Sequence, residues 1–350
     1  MMIVRQLCGI LIALFFGAAV EATSEQRDIP RPAQSALPIT INVVHAINPR
    51  FEKIADQDVE RVLVEATELA KVHLGAKVNF NYVGSESVVG LLQRIPEKRI
   101  RHVVEYSYDM RDSSNLATLA STLRDSLNRL PPELLKSQVE FWKQVEPDSG
   151  EIGGAEALSR AMAETLVSRG ARWFSEQALD GESVLNRVAV NEWLVWYSLG
   201  HSNIPFELVL TNQPIISAEY YLTPVPQALR GGLTLGTVAP SASSRYGIFM
   251  FVSNFALLND FPYLLELRAG EVYDHQERIR LTAALIVHEI GHFVFRYGHP
   301  YSQPECIMHP ISMLYLRRWY SQLTGSGCRQ TLDDQLRLDA LPIRDFSNPG

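Results

Sequence analysis

Two histidines and a glutamate stand at metal-site spacing in the stretch "LIVHEIGHFVFRYGHPYSQPECIMHP", residues 285–310. His288, Glu289 and His292 form an H-E-x-x-H pattern. The residues before it read as a helix. From His275 to Phe295 there is no Pro, Gly291 is the only Gly, and Ile279, Ala283, Ile286, Val287, Ile290 and Phe293 recur at three- and four-residue spacing. Positions four apart on a helix lie one turn above each other, so His288 and His292 can aim two imidazoles at one ion. Zinc takes such nitrogens at about 2.0–2.1 Å. Glu289 sits beside them, placed to act as general base on a zinc-activated water while the ion polarises a carbonyl. His45, His73, His102 and His201 lack comparable neighbours in sequence and read as structural or surface histidines.

A catalytic zinc usually takes three protein ligands. No Glu follows Glu305, which excludes a third ligand from a distant glutamate. His299 is the preferred candidate; His309, Asp333, Asp334 and Asp339 are the others. On an unbroken helix His299 would lie roughly 10 Å along the axis from His292, out of reach of the same ion. The helix must therefore end and the chain turn back. "RYGHP" supplies the stop, with Arg296 in the last turn, Gly298 expected at positive φ and Pro300 unable to continue.

These residues resemble the metzincin clan of zinc peptidases, and within it the archaemetzincins. That clan carries H-E-x-x-H-x-x-G-x-x-H followed by a turn with a Met beneath the zinc. His288, Glu289 and His292 match directly, and Cys306-Ile307-Met308 resembles the C-x-M of the archaemetzincin Met-turn. The resemblance implies a zincin-like α/β (α+β) fold, with a mixed twisted sheet, a backing helix and an active-site helix. It implies zinc on His288, His292 and His299, Glu289 as catalytic base, Met308 as the floor, and peptide bonds as substrate. Its antiparallel strand at the cleft rim would fall on Phe249–Phe255. The chain departs from the family in two ways. His299 follows His292 by seven residues where the family has six, which a one-residue insertion with the turn moved to Gly298 would reconcile. The family's second, Cys-rich zinc site has no counterpart, since Pro300 follows His299 and no C-x-x-C occurs, so one zinc is expected.

"MMIVRQLCGILIALFFGAAVEA", residues 1–22, has the basic start, short apolar run and small residues of a secretory signal peptide. That places the mature chain outside the cytoplasm, secreted or periplasmic, with no stable membrane span once the peptide is removed. Cys306 and Cys328 then remain, and an oxidising compartment predicts a disulfide between them. It would tie the Met-turn to the segment after "SMLYLRRWYSQL". The net charge of −7, without a long basic run, argues against nucleic acid as a partner.

Residues 23–37 read as a flexible leader and 331–350 as a tail. A zincin-like domain is expected over 38–85 and 204–330. "PITINVVHAI", "DQDVERVLVEATELAKVHL" and "AKVNFNYVG" read as strand, helix and strand, with Asp56 or Asp58 capping the helix. Residues 86–203 read as a large helical insertion with Trp142, Trp173, Trp193 and Trp196 in its core. "FELVLTNQPII", "GLTLGTVAP" and "YGIFMFVSNFAL" return to strand. Tyr297 and Tyr301 are candidates for a second hydrogen-bond donor to substrate. An Asp-ligand (aspzincin-type) peptidase and a non-catalytic zinc-stabilised binding protein are the alternative readings.

Overall fold

A computed structural model describes residues 38–106, 113–175, 192–216 and 224–325, together with Cys328. The expected signal peptide, leader and tail lie outside these residues, as do Asp333, Asp334 and Asp339. The chain is mixed α/β. Strand β1 (Ile39–Ile47), helix α1 (Asp56–Leu69) and strand β2 (Val78–Ser87) make the first unit, with β1 and β2 parallel. Helix α1 starts behind Ala55, which makes no side-chain cap, rather than behind an aspartate. Asp56 and Asp58 instead occupy its first turn, where a negative charge meets the positive end of the helix dipole. Asp56 is also engaged elsewhere: it accepts a hydrogen bond from the Tyr82 hydroxyl at 2.9 Å.

Most of the described residues from 88 to 201 are helical, chiefly α2 (Leu116–Leu127), α3 (Pro132–Val145) and α4 (Ala155–Ser175). Trp142, Trp173 and Trp196 are buried as expected; the Trp193 side chain lies outside the described residues. The chain then returns to the sheet with β3 (Leu208–Thr211). Next come the small antiparallel pair β4 (Ile215–Ile216) and β5 (Leu233–Thr234), then β6 (Gly236–Pro240) and β7 (Ile248–Ser253). The main sheet has the order β2-β1-β3-β7-β6. Its first four strands are parallel, and β6 alone runs antiparallel, against β7.

This order corrects one expectation. The segment Phe249–Phe255 is not a cleft rim. Its strand, β7, is paired on both sides, with every residue buried, and Phe255 already begins a helical turn. The antiparallel edge belongs to β6. β7 is a continuous apolar run, IFMFV, whereas β6, GTVAP, carries Gly, Thr and Pro. Pro240 at the end of β6 fits an edge, where no inward ladder bond is lost.

Helix α5 (His275–Ile290) packs against α1 and also contacts β6 and β7. It is followed by α6 (Leu316–Gln322). Among the described residues no helix is long and apolar enough to cross a membrane.

His45 sits fully buried on β1, with Asp56 Oδ1 3.8 Å from its Nδ1. Burial outweighs the attraction of Asp56 and lowers its pKa from 6.5 to about 4. Below pH 6.5 the unfolded chain takes up this proton and the folded chain does not. The contribution is therefore complete above pH 6.5 and is lost as the pH falls toward 4, amounting to about 3 kcal/mol at most. In a calorimetric Tm series over that range, His45→Gln should lose less stability on acidification than the wild type. Parallel curves for the two proteins would refute this role.

Candidate metal centre

Helix α5, which carries the H-E-x-x-H pattern, is anchored at its start. Asp274 accepts the Glu277 N–H at 2.8 Å and the Glu277 carboxylate accepts the Asp274 N–H at 3.0 Å, a reciprocal cap. Arg317 of α6 donates to the same carboxylate at 2.7 Å and holds it below the usual range. Thirteen residues on, His288 and His292 emerge one turn apart, both buried.

The helix does not stop at Gly298. It widens into a π turn over Gly291–Phe295 and ends at Arg296, which takes φ 58. Gly298 is not among the residues at positive φ. The Arg296 N–H reaches the carbonyls of both Gly291 and His292, and the Tyr297 N–H reaches Gly291 O at 3.2 Å. These bonds offset the steric cost of about 1–2 kcal/mol for a side chain in the left-handed region. A π turn holds one residue more than an α turn. It therefore takes up one residue of the stretch between His292 and His299, and the chain doubles back in time for His299 to face the other two.

The three Nε2 atoms converge. His288 and His299 are 3.1 Å apart, His288 and His292 3.2 Å, and His292 and His299 3.2 Å. Three nitrogens bound tetrahedrally to one zinc would lie about 3.3–3.4 Å apart, so a single ion fits all three. The outer nitrogens fix the tautomers. His288 Nδ1 lies 2.7 Å from Ile307 O, and His292 Nδ1 lies 2.5 Å from Tyr297 O. A carbonyl only accepts, so each Nδ1 carries the proton and each neutral ring turns an Nε2 lone pair inward. Lone pairs facing each other in a buried site need a cation between them. Burial also keeps the rings neutral. It lowers His288 to about 3 and His292 to about 4, and holds His299 well below 6.5, so no proton competes with a metal at neutral pH.

The floor is the turn Cys306-Ile307-Met308. Ile307 supplies the carbonyl that orients His288. Met308 is fully buried against Gly291, and a Cβ on Gly291 would come within 2.1 Å of Met308 Sδ. The glycine inside the motif is therefore what lets the methionine lie directly against the helix. Cys306 is bonded to Cys328, and the Trp319 indole donates to His309 O at 3.1 Å.

Glu289 is buried on the other side of the helix turn, with its carboxylate against β6. A Cβ on Gly236 would meet Glu289 Oε1 at 2.6 Å and Cδ at 2.8 Å. Gly236 thus makes room for the carboxylate in the edge strand. An isolated Gly in a strand pattern is a signal for such close approach, but the sequence does not say what approaches.

His309 is not a ligand. Its Nδ1 lies 3.0 Å from Pro300 O and its ring packs 5.9 Å from Phe141. Tyr297 serves through its carbonyl while its ring stacks on Phe295 at 5.0 Å. The Tyr301 ring is 6.4 Å from the His299 ring and 5.2 Å from Phe141 of α3. The helical segment therefore buttresses the loop that carries His299, through a contact that sequence reasoning missed. His73 is a structural histidine near Thr324 O at 3.2 Å.

Gly291→Ala should strain the helix against Met308, lowering stability by about 1–3 kcal/mol and weakening metal binding. Thermal melts and zinc competition check this, and Gly291→Ala/Met308→Ala should recover part of the loss. A single variant as stable as wild type would show that the contact is slack. No protein-family model matches the chain, and no curated protein or solved structure does so either.

Proposed function

We propose that this protein is an exported zinc-dependent metallopeptidase of the metzincin type. The observation that carries the reading is the convergence of three neutral imidazole nitrogens within 3.2 Å, with Glu289 in the same helix turn. Nitrogen-only donors at tetrahedral spacing suit zinc better than magnesium or calcium, which take oxygen ligands. The Met308 floor, the antiparallel strand β6 beside the active-site helix and the single turn bringing back His299 all agree with the metzincin resemblance. The disulfide agrees with an oxidising compartment.

Zinc in this site supplies Lewis acidity, which makes water a nucleophile at neutral pH and polarises the scissile carbonyl. The protein's own groups do the rest. Ile307 O and Tyr297 O hold two imidazoles in the tautomer that presents Nε2. Glu289 takes the proton from the attacking water and returns it to the leaving amine. Gly236 lets its carboxylate lie under the strand along which an extended peptide would pair.

The metal content of purified protein tests the ligand set. Wild type should hold about one zinc per chain, and His299→Ala should lose most of it. A variant that keeps stoichiometric zinc would remove His299 and the metzincin reading with it. Glu289→Gln should retain the metal but lose peptide hydrolysis by at least about a hundredfold. Equal cleavage by that variant would leave a zinc-stabilised protein without this catalytic base.

A further inference from the structure

Arg230 joins the turn before β5 to the segment that follows Met308. It is buried in the connection that leads into β5, 8% exposed. Its Nε donates to Leu233 O at 2.9 Å and its Nη1 donates to Ile311 O at 3.0 Å. Leu233 lies three residues before Gly236, the glycine against Glu289. Ile311 lies three residues after Met308, beneath the ligand helix. One guanidinium thus links the approach to β6, three residues before Gly236, with the segment three residues after Met308. Helix α4 holds this strap in place. The Trp173 indole donates to Arg230 O at 3.0 Å, and Arg169 donates to Leu229 O at 2.5 Å and to Glu146 at 2.6 Å. A Cβ on Gly231 would come within 2.6 Å of Arg169 Cβ, so the loop lies directly on the helix.

The ladder fixes which way a bound peptide would run. Ser253 N–H bonds to Leu235 O and Ser241 N–H to Gly247 O. The hydrogen-bonded pairs therefore fall at Thr237–Phe251 and Ala239–Phe249, and the backbone groups of Gly236 and Val238 face outward. A peptide pairing antiparallel with β6, the more stable arrangement, has its carboxyl end beside the start of that strand. That is the end at which the Arg230 strap crosses to Ile311. The guanidinium is a permanent cation, and its bonds to Leu233 O and Ile311 O hold it at that end.

Resting on the metallopeptidase reading, we infer that the cleft is closed and cationic beyond the scissile bond. Substrates are then peptides presenting a free carboxyl terminus, from which a short fragment is released. Three residues of extended chain separate Leu233 from Gly236, or about 10 Å, so the released fragment is no longer than about three residues.

Binding to the zinc-loaded full chain carrying Glu289→Gln tests this without turnover. The probes are an N-terminally fluorescein-labelled hexapeptide pool with a free carboxyl end, its carboxamide, and the same pool extended at the carboxyl end by about ten Gly-Ser residues. Fluorescence anisotropy should show the free acid bound roughly ten-fold or more tighter than either of the others. Extension at the amino end should change little. Equal binding of the carboxyl-extended pool would overturn the closed end while leaving the peptidase reading standing. Equal binding of the carboxamide would overturn the carboxylate preference. No binding of any pool, with no cleavage by wild type, would overturn both.

Discussion

Two hydrogen bonds, from His288 Nδ1 to Ile307 O and from His292 Nδ1 to Tyr297 O, are what the surrounding structure must deliver. They decide which nitrogen of each ring is protonated, and so whether lone pairs or N–H groups face the centre. Neither acceptor lies on the ligand helix. One is on the loop after the Arg296 turn and the other on the turn Cys306-Ile307-Met308, so both returning segments must be held in place. The burial that makes the rings poor bases also makes an error in these segments expensive, because an imidazole without its carbonyl would be desolvated for no return.

Several devices hold those segments, and they come from distant parts of the chain. The Cys306–Cys328 bond restrains the Met-turn at its first residue. Trp319 ties α6 to His309. Phe141, from α3, packs on Tyr301 and His309 in the same loop. Arg169 and Arg230 fasten the next stretch, reaching Met313 and Ile311. The helical segment is thus part of the wall of the site. Two glycines complete the arrangement by subtraction: Gly291 lets Met308 in, and Gly236 lets Glu289 in.

Much of the chemistry is legible in the amino-acid sequence. An H-E-x-x-H on an apolar-periodic segment can only place its two histidines together, since helix geometry is local. The need for a chain reversal before His299 also follows from rise per residue alone. So do the strand, helix and strand of the first unit, while the pairing of Cys306 with Cys328 matches the expectation for an oxidising compartment. In each case short-range periodicity or simple counting settles the matter.

Tertiary structure decided the rest. Which strand forms the antiparallel edge depends on sheet order, a matter of long-range pairing that Pro240 hints at but does not settle. The reversal used Arg296 and a π turn rather than Gly298, because the cap bonds to Gly291 and His292 outweigh a local φ preference. His299 was separated from His309 only by where the chain folds back. The roles of Phe141, Gly236 and Arg230 rest on contacts with residues dozens to more than a hundred positions away. Sequence determines the donors and the helix that carries them. Only the folded chain determines where each donor points, because orientation is set by partners that no local pattern encodes.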